Sequence, residues 1–290
     1  MRYRIFILFF LALATTLTCA SDLRIAAASD LQAVLPKIVT EFEKLTGNKV
    51  TISYGASGTL FTQIKNGAPF DVFLSADLDY PQELTSAKLA DPNLVARYAN
   101  GKLVLWVKND LAKQAKRDGI AILKSNLVQK IAMANPLHAP YGRAAQLFLV
   151  TDGIYDSVKG KIVLGENISQ AAQFATSGNV DAAFLSQSSA LSPQLMEKGV
   201  VIELKREGIP AGSVNTSYPA VEQAGAILKS SPNQKAATDF MLFLLGPNSR
   251  ALFRTNGFYM PEPHPPCTLT SFAVRCSDLE PHSSPPPKTK

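Results

Sequence analysis

Cysteine is almost missing from this chain, with three in 290 residues. Cys19 falls in an N-terminal apolar stretch, and Cys267 and Cys276 fall in a proline-rich C-terminal segment, where an oxidising compartment would let them pair. The core between them has none, which excludes thiol catalysis and thiolate metal sites there. Histidine is as scarce. Of three, His264 and His282 lie in the same C-terminal segment, and His138 sits in a proline-rich loop without an evident serine or cysteine partner. No metal-ligand spacing occurs. The glycine-rich stretch at 55–58 lacks the Gly-Lys-Ser/Thr ending of a phosphate loop and the Gly-x-Ser-x-Gly form of a nucleophile elbow. An exported enzyme would need a catalytic base near Ser57, and none is visible.

Long apolar runs are lacking too, apart from the first twenty residues. There Arg2 and Arg4 precede an apolar stretch from Ile5 to Leu13, and Thr18-Cys19-Ala20 has the small residues of a cleavage site. Residues 1–20 are expected to be a signal peptide, because the run is short for a membrane span. Strong charge of one sign is also missing. The full chain carries +6; without Arg2 and Arg4, and with residues 261–290 electrically balanced, the core carries +4. No dense basic patch occurs, so nucleic acid is not an expected partner. The mild excess suits attraction of a small anion.

What is present is a repeated strand–turn–helix design. Val50-Thr51-Ile52 suits a buried strand. Gly55 and Gly58 follow, where unusual backbone angles are expected, and Ser57 stands where a helix N-cap would fall, ahead of Leu60 to Lys65. The first such unit runs from Leu23 to Ala28, then Ser29-Asp30, then a helical pattern through Phe42 in which Pro36 opens the main helix, Val39, Phe42 and Leu45 share a face, and Gly47 is the C-cap. Further strands are expected at 70–75, 102–108, 130–135, 161–164, 180–185 and 200–204, with helices from Tyr80, over 143–150 and from Ile168, and a loop-rich passage over 91–101. The chain returns near Tyr218 to Val221, and helices at about 232–245 and 247–255 pack back on the first lobe.

This pattern implies an α/β chain with a discontinuous first lobe, 21–101 and 215–260, and an inserted second lobe, 102–214. Each lobe is a mixed sheet flanked by helices, with a hinge-closing cleft between them. Prolines at 261, 263, 265, 266, 281 and 285–287 mark residues 261–290 as a disordered tail.

Open α/β sheets bind ligands at the ends of their strands. Four strand-to-helix junctions stand out: Ser29, Ser57, the Pro140-Tyr141-Gly142 turn and the helix start at Ile168. Serine and tyrosine hydroxyls and free N–H groups at helix starts are what a tetrahedral oxyanion requires. A lone serine at such a junction is ordinarily a cap; the repetition favours a site. Asp30 is awkward beside an anion, so its N–H is expected to point in and its side chain away. Asp77 is expected to cap the next helix. Arg143 could counter an anion's charge or face solvent.

At these residues the chain resembles the periplasmic molybdate-binding proteins of ABC importers. The shared motifs are 26–31, 55–60, 63–77, 98–106, 139–142 and 256–258, and the long one over 63–77 is the most specific. The resemblance implies a type II periplasmic-binding-protein fold, a periplasmic monomer, and delivery of molybdate, with tungstate as well, to a membrane permease. No catalysis and no cofactor are implied. The ligand set would be Ser29, Asp30, Ser57, Tyr141 and Ile168. Molybdenum would enter only as the oxyanion, held through its oxygens by Ser29, Ser57 and the Ile168 N–H, with no side chain on the metal itself. Other members place a tyrosine after the late strand. Here that strand reads Ala183-Phe184-Leu185-Ser186-Gln187, so Tyr141 is the candidate substitute. Sulfate or a small organic anion is the alternative ligand.

Overall fold

The computed structural model describes residues 22–204 and 221–261. The expected signal peptide, the return at 218–220, Cys267, Cys276 and all of the tail beyond Pro261 lie outside the described residues. Ten strands form two five-stranded sheets. The first holds β1 (Asp22–Ala28), β2 (Lys49–Gly55), β3 (Val72–Ser75), β4 (Ala90–Gly101) and β10 (Val221–Leu228), in the order β2-β1-β3-β10-β4. The second holds β5 (Leu103–Lys108), β6 (Ile131–Ala134), β7 (Ile162–Gly165), β8 (Ala182–Ser186) and β9 (Gly199–Glu203), in the order β7-β6-β8-β5-β9. In each, three strands run parallel and a fourth joins them antiparallel. A single residue, Lys102, separates β4 of the first sheet from β5 of the second.

Helices cover both faces. They are α1 (Leu35–Thr46), α2 (Ser57–Lys65), α3 (Asp79–Ser86), α4 (Ala112–Asp118), α5 (Pro140–Thr151), α6 (Tyr155–Val158), α7 (Ile168–Thr176), α8 (Gln187–Ala190), α9 (Pro193–Lys198), α10 (Gln234–Leu245) and α11 (Pro247–Thr255). On α1, Leu35, Ile38, Val39 and Phe42 are buried at helical spacing, and Gly47 ends the helix in the left-handed conformation at φ 74°. Phe42 meets Phe240 of α10 edge-on at 5.2 Å, so the C-terminal helices pack on the first sheet. Leu45, expected on that buried face, is 70% exposed.

Residues 91–101, expected to be a loop-rich passage, instead form most of β4. The strand sits at the edge of its sheet, where proline is tolerated, and its pairing with β10 absorbs two register shifts. Gly55 and Gly58 have ordinary φ angles; neither is among the positive-φ glycines. Their requirement is room. A Cβ on Gly58 would lie 2.4 Å from the Tyr80 hydroxyl and 2.9 Å from the His138 carbonyl oxygen.

Candidate oxyanion site

Parallel pairing of β1 and β2 runs in register from Asp22 beside Lys49 to Ala28 beside Gly55, so the two strands end side by side. Each then turns directly into helix. The serines are not the caps expected of them. Ala28 and Ala56 occupy the cap positions, and Ser29 and Ser57 are the first helical residues. That one-residue difference matters chemically. No helix N–H takes up the Ser57 hydroxyl; instead it accepts the N–H of Ala76, past the end of β3, at 3.0 Å. A hydroxyl that accepts one such bond still has its proton to donate.

The second sheet repeats the arrangement. β6 and β7 end together, Ala134 beside Gly165. Their continuations start α5 at Pro140 and α7 at Ile168, with the Asn167 side chain accepting the N–H of Gln170 as a true cap. Orphan N–H groups at a helix start carry the positive end of the helix dipole. All four junctions line one small cavity between the sheets, walled by Ala28, Ser29, Asp30, Gly55, Ala56, Ser57, Ala76, Ala139, Pro140, Tyr141 and Ile168. Among the described residues no lysine or arginine belongs to the wall. Ser29 and Ser57 are 3% and 1% exposed.

The lobes are closed over this space. Gly58 N–H donates to the His138 carbonyl at 2.9 Å. Ser169 Oγ donates to the Ser29 carbonyl at 2.9 Å, and Ser188 Oγ to the Asp30 carbonyl at 3.1 Å. Arg143 reaches across to the Asp77 carboxylate and, at 3.1 Å, to the Tyr80 hydroxyl. Its charge is thereby paired with a carboxylate and not with an anion, while its side chain stays 39% exposed. Asp77 also accepts the Tyr80 N–H at 3.2 Å in the first turn of α3, although Leu78, and not Asp77 as expected, holds the cap position.

Asp30 lines the cavity, and its side chain is buried, 1% exposed, with Oδ2 accepting from Gln223 Nε2 on β10, a residue outside the cavity wall. The Tyr141 hydroxyl is hydrogen-bonded to the same carboxyl and receives Gln223 Nε2 at 3.3 Å. In this closed arrangement the free donor at position 141 is therefore the helix-start N–H, and the phenol is engaged elsewhere. Burial pushes the Asp30 carboxyl up to about 6 from 3.8, against the hydrogen bonds from Gln223 and Tyr141 that pull it down. Burial, with the Asp30 charge second, raises the Tyr141 phenol well above its usual range.

Sequence reasoning missed Gln223, Ser169 and Ser188. Gln223 left a faint trace as a polar residue beside Glu222 at the head of the apolar run Ala224 to Leu228. The serines left none, since their partners are backbone carbonyls of the other lobe.

Two sheets joined by a narrow crossing, closing over a small cation-free cavity ringed by helix starts, define a two-lobed receptor for a small solute. A family model described as bacterial extracellular solute-binding protein matches residues 23–259, and the chain belongs to that family. Over 240 residues it is 35% identical to the molybdate-binding protein ModA of Azotobacter vinelandii, covering 82% of this chain and 90% of that one. The ModA of Rhodobacter capsulatus is 33% identical over 240 residues, covering 82% and 88%. The solved structure of the periplasmic molybdate-binding protein of Azotobacter vinelandii superposes with a TM-score of 0.72 at 31% identity, covering 83% of this chain and all of that one.

Proposed function

We propose that this chain is a periplasmic receptor that captures molybdate, and tungstate with it, and delivers it to the permease of an ABC importer. One observation carries the reading: helix starts and serine hydroxyls from four separate junctions meet at a single cavity whose wall holds no cationic side chain. A fully ionised dianion is all acceptor, so neutral donors suffice to hold it. The ligand groups are the Ser29 and Ser57 hydroxyls, with backbone N–H groups at Asp30, Tyr141 and Ile168. The relatives named for molybdate support the choice of anion, and closure of the lobes presents a single surface to the permease. The reading as a binder is supported by the solute-binding family to which the chain belongs.

Calorimetric titration of the full chain with molybdate, tungstate, sulfate and phosphate tests this. Binding of molybdate and tungstate is expected; heat with phosphate and none with molybdate rejects it. Ser57→Ala and Ser29→Ala should each weaken molybdate binding by about 1–3 kcal/mol, the cost of a buried group left unpaired.

A further inference from the structure

We propose that Arg143, Asp77 and Tyr80 form a latch that engages only when the lobes close, and that this latch sets how slowly the captured anion leaves. The inference rests on the oxyanion reading above and extends it from where the anion is held to what keeps the site shut. None of the three belongs to the cavity wall, yet two stand beside it in the chain. Asp77 follows the wall residue Ala76, and Arg143 comes two residues after the wall residue Tyr141. They bear on closure without being part of the anion's own donor set.

The receiving half is built within the first lobe. Asp77 Oδ1 accepts the Ser75 hydroxyl at 2.9 Å and the Tyr80 N–H at 3.2 Å. Both donors belong to its own lobe, so the carboxylate is already oriented and Oδ2 is left for a partner. The Tyr80 ring packs on Phe61 of α2 with centroids 5.0 Å apart, which steadies the hydroxyl. The arriving half is Arg143 of α5. Its Nη2 donates to Asp77 Oδ2, its Nη1 donates to the Tyr80 hydroxyl at 3.1 Å, and its guanidinium carbon lies 5.3 Å from the Tyr80 ring centre. Every one of these contacts crosses the cleft, so parting the lobes breaks them together. The Asp77 side chain is 14% exposed. The pair is therefore too sheltered for the near-zero worth of a surface ion pair, and it stays close enough to water that opening strands no charge in the interior.

Charge gives the latch a signature of its own. By Coulomb effects alone, neutralising Asp77 would tighten the hold on a nearby anion and neutralising Arg143 would loosen it. A latch predicts the same direction for both. Each change removes the attraction between closed lobes, so the loss appears in the release rate and not in the capture rate.

The test follows release of radiolabelled molybdate from the full chain into excess unlabelled molybdate by rapid filtration, with affinity from calorimetry. It compares the parent with Arg143→Gln, Asp77→Asn and the double variant. Release is expected to quicken roughly tenfold in each single variant, between the values for exposed and buried charge pairs. Affinity should fall by the same factor, leaving the association rate at the parent value. The double variant should release no faster than either single one, because both substitutions open one latch. Tighter binding by Asp77→Asn overturns the inference, as does parent-like release from Arg143→Gln. So does a loss confined to the capture rate, or effects that multiply in the double variant. If Asp77→Asn fails to fold, the release rate of Arg143→Gln decides by itself. A parent protein that binds molybdate while these variants behave as it does overturns the latch alone. No heat from molybdate, sulfate or phosphate overturns the oxyanion reading and this inference with it.

Discussion

Asp71→Ala is expected to destabilise the protein by about 3–5 kcal/mol, the range for breaking a buried, multiply bonded charge. Asp71 is fully buried. Its Oδ2 accepts the Arg24 N–H at 2.6 Å, and its Oδ1 accepts the Ser231 hydroxyl at 2.6 Å and Asn233 Nδ2 at 3.4 Å. Its backbone continues the same seam: Asp71 N–H donates to the Arg24 carbonyl, and Leu228 N–H to the Asp71 carbonyl. One side chain thus ties β1, the entry to β3 and the turn after β10 before α10. Alanine would leave three donors facing a void, two of them in the interior. The damage falls at the strand ends opposite the cavity, since β1 begins here and reaches the site only at Ala28. Chemical denaturation should show the full loss, with a drop in Tm on the order of 10 °C, while folded Asp71→Ala at low temperature binds anion nearly as the parent does. Asp71→Asn, which keeps one acceptor, should recover part of the loss. A variant of unchanged stability would mean the seam holds without this carboxyl.

Gly58→Ala should do the opposite, sparing stability and damaging capture. Gly58 lies in the first turn of α2, where alanine is the better helix former by about 1 kcal/mol. The new methyl meets the Tyr80 hydroxyl at 2.4 Å, which Arg143 holds from across the cleft in the closed form, and it meets the His138 carbonyl at 2.9 Å, closer than real Cβ contacts run. It also pushes apart the pair that the Gly58 N–H bonds. Overpacking of this kind costs about 1–3 kcal/mol, and here the cost falls on closure alone. Molybdate affinity should drop roughly 5–150-fold with Tm of the free protein unchanged or slightly higher. Parent-like affinity would show that the lobes need not approach so closely at this point.

Much of the framework was legible from local pattern. The parallel strands, the helix starting at Ile168, the αL glycine after α1 and the paired helices at the C-terminal end follow from periodicity and capping chemistry. The convergence of Ser29 and Ser57 followed as well, because two in-register parallel strands must end together. Other features depended on partners far away in the chain. The fate of Asp30 is decided by Gln223, 193 residues later. Whether Ser57 caps its helix or frees its proton for the cavity depends on an N–H from the chain beyond β3. Arg143 finds Asp77 66 residues back, across the cleft. β4 was hidden because its proline and polar residues are compatible with a strand only at an edge, and edge position is a property of the finished sheet.

The join at Lys102 sets how the two halves can move. A connection one residue long works as an axle and not as a tether: the halves can swing about it but cannot drift apart. Lys102 is itself pinned, its Nζ to Glu203 at 2.8 Å and its carbonyl to the Gln187 N–H at 2.8 Å. An ion resting on one half therefore always has the other half waiting at high effective concentration. The second set of contacts then costs a rotation in place of a fresh encounter, and the ion's release is governed by that same swing.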